Sequence, residues 1–267
     1  MSIQGVTRMA LSLVGGSLPD LMSYLTGYGI DEAEPFRYAL FVGSFLCFIA
    51  MLPLLGVHTT TSRNRAQERE DPVPFPLRTF VAFGITSACR GASMGFSFPF
   101  FNVFFQQALG LSTPMIGLVF FLSQVVAVPS IVLAPAIARK LGAIKTIVPA
   151  RIFGSLALVC LGLTDHLGLG MLLFLISAIV EAITTPTEMR YATQIIPSRY
   201  WARMQSLRVT GFQIPAGLAS LIAGFIIVDY GYWATFAIAG SARLTSALVL
   251  LVVFAGKELE KAQGYNV

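Results

Sequence analysis

Residues 114–138 read PMIGLVFFLSQVVAVPSIVLAPAIA, contain no charged side chain and end directly before Arg139 and Lys140. A helix that crosses a bilayer needs roughly 20 mostly apolar residues, so this stretch alone predicts a transmembrane helix. Seven further apolar stretches repeat the pattern, with short polar segments between them. The eight predicted spans are residues 5–26, 36–57, 78–104, 114–138, 145–164, 168–188, 204–228 and 232–255.

The composition supports a membrane protein along the whole chain. Hydrophobic residues make up 55% of the sequence and charged residues only 12%, whereas globular domains carry about a quarter charged residues. Little of the chain is left over for a soluble domain. We therefore expect an all-α, polytopic transmembrane helical bundle of about eight spans.

The basic residues fall almost entirely on one side of these spans. With a cytoplasmic N-terminus, fifteen of the 18 lysines and arginines lie inside, among them Arg151 and Arg208; Arg37 lies outside, and Arg90 and Arg243 lie within spans. Cytoplasmic loops carry an excess of Lys and Arg, so both termini are predicted to be cytoplasmic, in a multi-pass protein of the cell inner membrane. The same bias indicates contact with anionic lipid, not nucleic acid.

Few residues at membrane depth suit enzyme chemistry. His58 and His166 fall at loop edges, which argues against catalytic or metal-binding histidines inside the bilayer. Glu181 is interpreted as the only deep acid, so a paired-carboxylate mechanism lacks its second member. The three cysteines fall in predicted spans and are interpreted as small apolar fillers. We expect neither an enzyme nor a bound metal or other cofactor.

A polar segment divides the chain. Residues 58–77 are rich in charge and carry Pro72, Pro74 and Pro76, a composition typical of extended linkers. Two spans precede the segment and six follow it, in two groups of three. The predicted organisation is two transmembrane helices in 1–57, a cytoplasmic linker at 58–77, a six-helix unit at 78–256 and a cytoplasmic tail at 257–267.

Two helices of the six-helix unit carry matching polar stripes. The stripes are Thr86, Arg90, Ser93 and Ser97 in one helix, and Ser177, Glu181, Thr184 and Glu188 in the other. Both follow the spacing i, i+4, i+7, i+11, which places each set on one helix face. Because Arg90 and Glu181 are near the midplane, each costs several kcal/mol unless it is paired or reaches water.

Smaller signals accompany the stripes. Pro99 removes the hydrogen bond to the Gly95 carbonyl and is predicted to bend its helix, and Pro186 acts likewise beside Glu181. The Gly91-xxx-Gly95 pair predicts the close approach of a neighbouring helix. Arg243 lies within the last span, and the sequence assigns it no partner.

Three segments of the chain resemble the C-terminal half of a major facilitator superfamily transporter. They are Arg139-Lys140-Leu141-Gly142, Pro99-Phe100-Phe101-Asn102-Val103-Phe104-Phe105 and Gln194-Ile195-Ile196-Pro197-Ser198-Arg199. The resemblance covers residues 78–256 and equates the eight spans with helices five to twelve of the family. It implies an inverted 3+3 repeat, with solute bound near the midplane at the repeat interface.

The resemblance also implies that the helices with the two stripes line a central cavity. Arg90 is then the predicted contact to an anionic or polar solute, and Glu181 either couples protons or serves as the counter-ion of Arg90. The side chains predicted to orient the solute are Ser93, Ser97, Asn102, Gln106 and Thr184. The alternative is a purely structural Arg90–Glu181 ion pair, with the hydroxyls bonded to their own helix backbones.

The function predicted from these features is secondary active transport of a small solute by alternating access. Four helices of the family have no counterpart before residue 1, so we expect the chain to need a second copy or a partner half and not to transport alone. The alternative is a non-transporting remnant, or an accessory half that binds another membrane protein. The sequence does not identify the solute, the coupling ion or the direction of exchange.

Overall fold

The computed structural model describes residues 75–262, together with 18, 21–25, 27, 37, 38, 40–46, 48 and 49. The chain divides into two compact units, residues 6–75 and a larger unit that contains 76–267. Apart from residue 27, the described residues of the smaller unit before residue 75 are helical. The rest of the predicted spans 5–26 and 36–57, and the predicted linker up to residue 74, lie outside the described residues.

The larger unit is helical throughout its described part. Its elements are α1 (Leu77–Ser97), a 3₁₀ turn (Phe98–Phe100), α2 (Phe101–Gln107), α3 (Thr113–Leu141), α4 (Ala143–Leu163), α5 (Leu167–Ile195), a second 3₁₀ turn (Ser198–Tyr200), α6 (Trp201–Tyr230) and α7 (Tyr232–Ala262). The six predicted spans of this unit each coincide with one of these helices, except that the first is divided between α1 and α2. The all-α prediction is confirmed.

Prolines and glycines set several of the helix boundaries. Pro99 lies in the 3₁₀ turn that separates α1 from α2, where a bend was predicted. Pro186, by contrast, lies inside the continuous helix α5. Gly142 and Gly231 have φ values of 93° and 80°, a conformation that residues with a Cβ rarely adopt. Each therefore permits the tight connection between two antiparallel helices.

Five helices are long and apolar enough to cross a membrane, within the part of the chain that the structure describes. They are Thr113–Leu141, Ala143–Leu163, Leu167–Ile195, Ser198–Tyr230 and Tyr232–Ala255. Helix α1 is less apolar because it carries Arg90 and a series of hydroxyl groups and glycines. It nevertheless packs closely against both α6 and α7, which places it inside the bundle.

The helices pack in a definite order. Close contacts join α6 to α1, α1 to α7, α7 to α4, α4 to α5, and α5 to α3. The α1–α6 contact confirms the close approach predicted from the glycine pair, because a methyl group on Gly91 or Gly95 would collide with the carbonyl of Phe212 or Ala216. Helices α1 and α5, which carry the two polar stripes, are not among the closely packed pairs.

Two apolar clusters lie towards opposite ends of the bundle. The inner apolar cluster, at the predicted cytoplasmic end, includes Phe80, Phe83, Ile147, Tyr191, Leu250 and Phe254. The outer apolar cluster includes Phe101, Phe104, Phe105, Leu158, Phe174 and Phe236. Along α1, α4, α5 and α7 the charged side chains of the spans occur between residues of these two clusters. The fold thus places a charged layer between two apolar ones.

Candidate functional site

Six charged side chains from five helices form one network in the centre of the bundle. They are Arg90 on α1, Arg151 on α4, Glu181 and Glu188 on α5, Arg208 on α6 and Arg243 on α7. Each has a long side chain that reaches across the space between helices, which explains how α1 and α5 interact without close backbone contact. We divide the network into two layers, one around each glutamate.

The middle layer consists of Arg90, Glu181 and Arg243. Arg90 forms an ion pair with Glu181, and its Nη2 also donates to Thr185 Oγ1 at 2.7 Å. Thr185 in turn donates to Glu181 Oε1 at 2.9 Å. Arg243 donates to Ser177 Oγ at 2.9 Å and places its Nη2 3.9 Å from Glu181 Oε2. Glu181 therefore accepts from the Arg90 guanidinium and the Thr185 hydroxyl, and a second guanidinium lies nearby without a hydrogen bond to it.

The inner layer consists of Arg151, Glu188 and Arg208, nearer the predicted cytoplasmic end. Arg151 forms an ion pair with Glu188 Oε2, and Arg208 Nη2 donates to Glu188 Oε1 at 3.0 Å. The Nη1 atom of Arg90 lies 3.7 Å from Glu188 Oε2 and links the two layers. Three arginines thus surround one carboxylate.

The two layers differ in their access to the surface of the bundle. The Glu188 side chain is 0% exposed, with 1% for Arg151 and 9% for Arg208. The Glu181 side chain is 29% exposed and that of Arg90 10%, and Thr185 beside them is exposed. A ligand that approaches from the exposed face of α5 would meet the middle layer first.

The inner layer corrects two sequence interpretations. Glu181 is not the only deep acid, because α5 continues to Ile195 and carries Glu188 inside the bundle. Arg151 and Arg208 were counted among the basic residues on the cytoplasmic side, but both are buried within the helix bundle and pair with Glu188. The sequence signal that could have predicted these buried partners is the i, i+7 spacing of Glu181 and Glu188. Two buried carboxylates on one helix face need basic partners at two different depths in the membrane.

Arg243 also acquires partners that the sequence did not indicate. Its helix α7 packs against α1 and α4, and the guanidinium passes close to Gly154, where a Cβ would lie 3.1 Å from Nη1. The absence of a side chain at Gly154 leaves room for the charged group to approach Ser177 and Glu181.

The other predicted site residues occupy two different places. Ser93, Ser97 and Thr184 are buried, with at most 1% exposure. Ser97 donates to the Ser93 carbonyl at 2.8 Å, as the structural alternative expects. The Ser93 and Thr184 hydroxyls, in contrast, have no hydrogen-bond partner among the described residues.

Asn102 and Gln106 are exposed on α2, beyond the 3₁₀ turn, and the described contacts include none between them and the charged network. The arrangement suits binding of a charged or polar solute. No group of three His, Cys, Asp or Glu residues that could hold a metal ion occurs among the described residues.

The chain matches the model of the Major Facilitator Superfamily over residues 1–180 and, in a second alignment, over residues 83–264. Together the two matches cover nearly the whole sequence. No curated protein matches the chain at a significant level. Members of this superfamily are generally transporters, not enzymes. The chain therefore belongs to the Major Facilitator Superfamily and is a multi-pass membrane protein of the transporter kind.

Proposed function

We propose that the protein carries a small solute across the cell inner membrane by alternating access, with the solute bound at the middle layer. The observation that supports this most strongly is the partly exposed Arg90–Glu181–Thr185 group on α1 and α5. Ionised groups within a membrane are costly unless they are paired or reach water, and they commonly mark solute and ion pathways.

In this proposal Arg90 contacts the solute and Glu181 is the counter-ion that is released when solute binds. A released carboxylate can take up a proton, which would couple transport to the proton gradient. Ser93 and Thr184 supply hydroxyl groups one turn from Arg90 and Glu181. Ser97, Asn102 and Gln106 contact the solute nearer the outer end of the pathway.

The orientation of the protein is part of the proposal. With Arg151 and Arg208 counted as buried network residues, thirteen basic residues lie on the predicted inside and Arg37 alone on the outside. This excess still favours cytoplasmic termini. Fusions to a reporter that is active only outside the cytoplasm should be active at Thr164 and inactive at Val267. The reverse result would contradict the orientation.

Transport itself is tested in proteoliposomes that contain the full chain and receive a panel of labelled anionic, neutral and cationic solutes. With two copies able to assemble in the vesicle membrane, we expect saturable uptake of at least one solute, lost in Arg90→Gln and Glu181→Gln. Arg190→Gln is the matched control, because Arg190 is an exposed arginine on α5, and it should leave uptake unchanged. Absence of uptake for the whole panel, together with a stable complex with another membrane protein, would favour an accessory role.

A further inference from the structure

We infer that the ligand of the middle layer is an anion, bound by Arg90 and Arg243 in competition with Glu181. This inference rests on the proposed function, because it names the substrate class of the same site. It follows from the charge balance of the network and from the donor atoms that remain without partners.

The network contains more positive than negative charge. Four arginines surround two glutamates in the part of the chain that the structure describes. The other acids whose side chains the structure describes, Asp165 and Asp229, lie at the ends of helices, outside the network. Two guanidinium charges of the network therefore have no acidic counterpart among the residues that the structure describes.

Arginine cannot remove this excess by itself. The guanidinium group stays protonated in proteins, so the network cannot become neutral by losing a proton as a lysine or histidine site could. An unpaired charge inside a membrane protein is unfavourable. A bound anion balances the excess directly, whereas a cationic ligand would increase it.

Several donors without partners lie in and around the middle layer, and the inner layer contributes only Arg208 Nε among the described residues. Arg243 comes no closer than 3.9 Å to its carboxylate partner, which is longer than a hydrogen bond. Arg90 Nε and the hydroxyls of Ser93 and Thr184 have no hydrogen-bond partner among the described residues. Each of these groups can donate to an oxygen atom.

The chemistry of these donors defines the ligand class. Guanidinium groups match the paired oxygens of carboxylates, phosphates and sulfates, and two arginines on different helices can hold one such group from two sides. We therefore expect a small oxyanion or a solute that carries a phosphate, sulfate or carboxylate group. Glu181 occupies Arg90 Nη2 in the structure, so an anion that takes up both sides of this guanidinium group must displace the carboxylate.

If the anion competes with Glu181 for Arg90, two variants should change the affinity for the anion in opposite directions. Purified full-length protein in mild detergent is titrated with inorganic phosphate, sulfate and succinate by calorimetry, at constant ionic strength, with glucose and choline as neutral and cationic probes. We expect at least one anion to bind saturably, and the neutral and cationic probes not to bind. Arg243→Gln should weaken anion binding by roughly tenfold or more, because it removes a charged hydrogen-bond donor.

Glu181→Gln should strengthen anion binding, because it removes the competing carboxylate, and Arg190→Gln should leave it unchanged. If the Arg243→Gln variant does not fold, the variant Thr185→Glu is measured in its place. That position is exposed, and the added carboxylate beside Arg90 should weaken anion binding. Absence of binding for all three anions, or weaker binding in Glu181→Gln, would overturn the inference.

Different experimental outcomes distinguish a failure of the anion-binding inference from a failure of the proposed transport function. Anion binding that follows these signs without any uptake in proteoliposomes supports the inference and removes the transport proposal. Saturable uptake of a neutral or cationic solute, with no binding of anions, supports transport and overturns the inference.

Discussion

The inner and middle layers use the same chemistry in different surroundings. Glu181 and Glu188 lie two turns apart on one face of α5, and each is paired with arginines from neighbouring helices. Glu188 is fully enclosed, whereas Glu181 is 29% exposed and shares its partner with the exposed hydroxyl of Thr185. The comparison teaches that the packing around an ion pair, and not its residue types, separates a structural pair from a candidate binding site.

The packing explains the difference. The inner layer is next to the inner apolar cluster, and Tyr191 and Phe83 of that cluster both pack against the ring of Phe254. The middle layer lies where α1 and α5 face each other without close backbone contact. A gap bridged only by side chains can open without breaking a backbone interface. We therefore expect the inner layer to contribute chiefly to stability and the middle layer to be where the proposed ligand binds.

The largest expected effect is on stability and concerns the inner layer. Glu188→Gln leaves Arg151 and Arg208 buried without their carboxylate, so we expect a loss of about 3–5 kcal/mol in the free energy of unfolding. The measurement is reversible unfolding in mixed micelles. Glu181→Gln, the same change two turns away, is the control and should cost clearly less, because that layer is partly exposed.

A partial rescue checks the cause of this loss. The double variant Glu188→Gln with Arg151→Gln removes one unbalanced charge and should be more stable than Glu188→Gln alone. Equal stability losses for Glu188→Gln and Glu181→Gln would show that the two layers do not differ in their contribution to stability.

The second effect is on the geometry of the middle layer. A methyl group in Gly154→Ala would come within 2.8 Å of Val180 Cγ1 and 3.1 Å of the Arg243 guanidinium, so we expect a loss of about 1–3 kcal/mol from overpacking. Anion binding should weaken with it. Gly117→Ala is the control, because no atom lies within 4 Å of a Cβ at that position. Unchanged stability and anion binding in Gly154→Ala would show that Arg243 does not belong to the middle layer.

The smallest effect concerns the hydrogen bond between Arg243 and Ser177. Ser177→Ala removes the acceptor of a buried charged donor, which should cost about 1–3 kcal/mol if the donor finds no other partner and less if Arg243 moves closer to Glu181. Comparison of Ser177→Ala with and without Glu181→Gln measures this compensation. An additive pair of effects would show that Arg243 does not exchange between the two acceptors.

Much of this architecture is predictable from the sequence because membrane helices carry a strong one-dimensional signal. The uninterrupted apolar run at 114–138 corresponds to α3, and Pro99 marks the break between α1 and α2. The matching stripes and the positions of Arg90 and Glu181 within their spans predicted comparable depths for the two residues. In the structure they form an ion pair. Helix periodicity and depth within the membrane are therefore enough to predict an ion pair of this kind.

The inner layer was not predictable in the same way. Arg151 and Arg208 are near the cytoplasmic ends of their helices, so the charge asymmetry alone counts them with the cytoplasmic residues. Their burial depends on how the helices that carry them are arranged around Glu188, which a hydropathy pattern does not contain. Arg243 was left without a partner for the same reason, since its contact with α5 needs α7 to pack against α4 and Gly154 of α4 to leave space.

The most direct test of the account is the reactivity of single cysteines on α5 towards a charged, water-soluble thiol reagent, in a background without the native cysteines. Thr185→Cys reports on the middle layer, and Thr187→Cys, which is 5% exposed beside Glu188, reports on the inner layer. We predict that Thr185→Cys reacts and is protected by the bound anion, while Thr187→Cys stays inert. An inert Thr185→Cys would mean that the exposed face of the middle layer meets lipid and not water, which would contradict its role as a binding site.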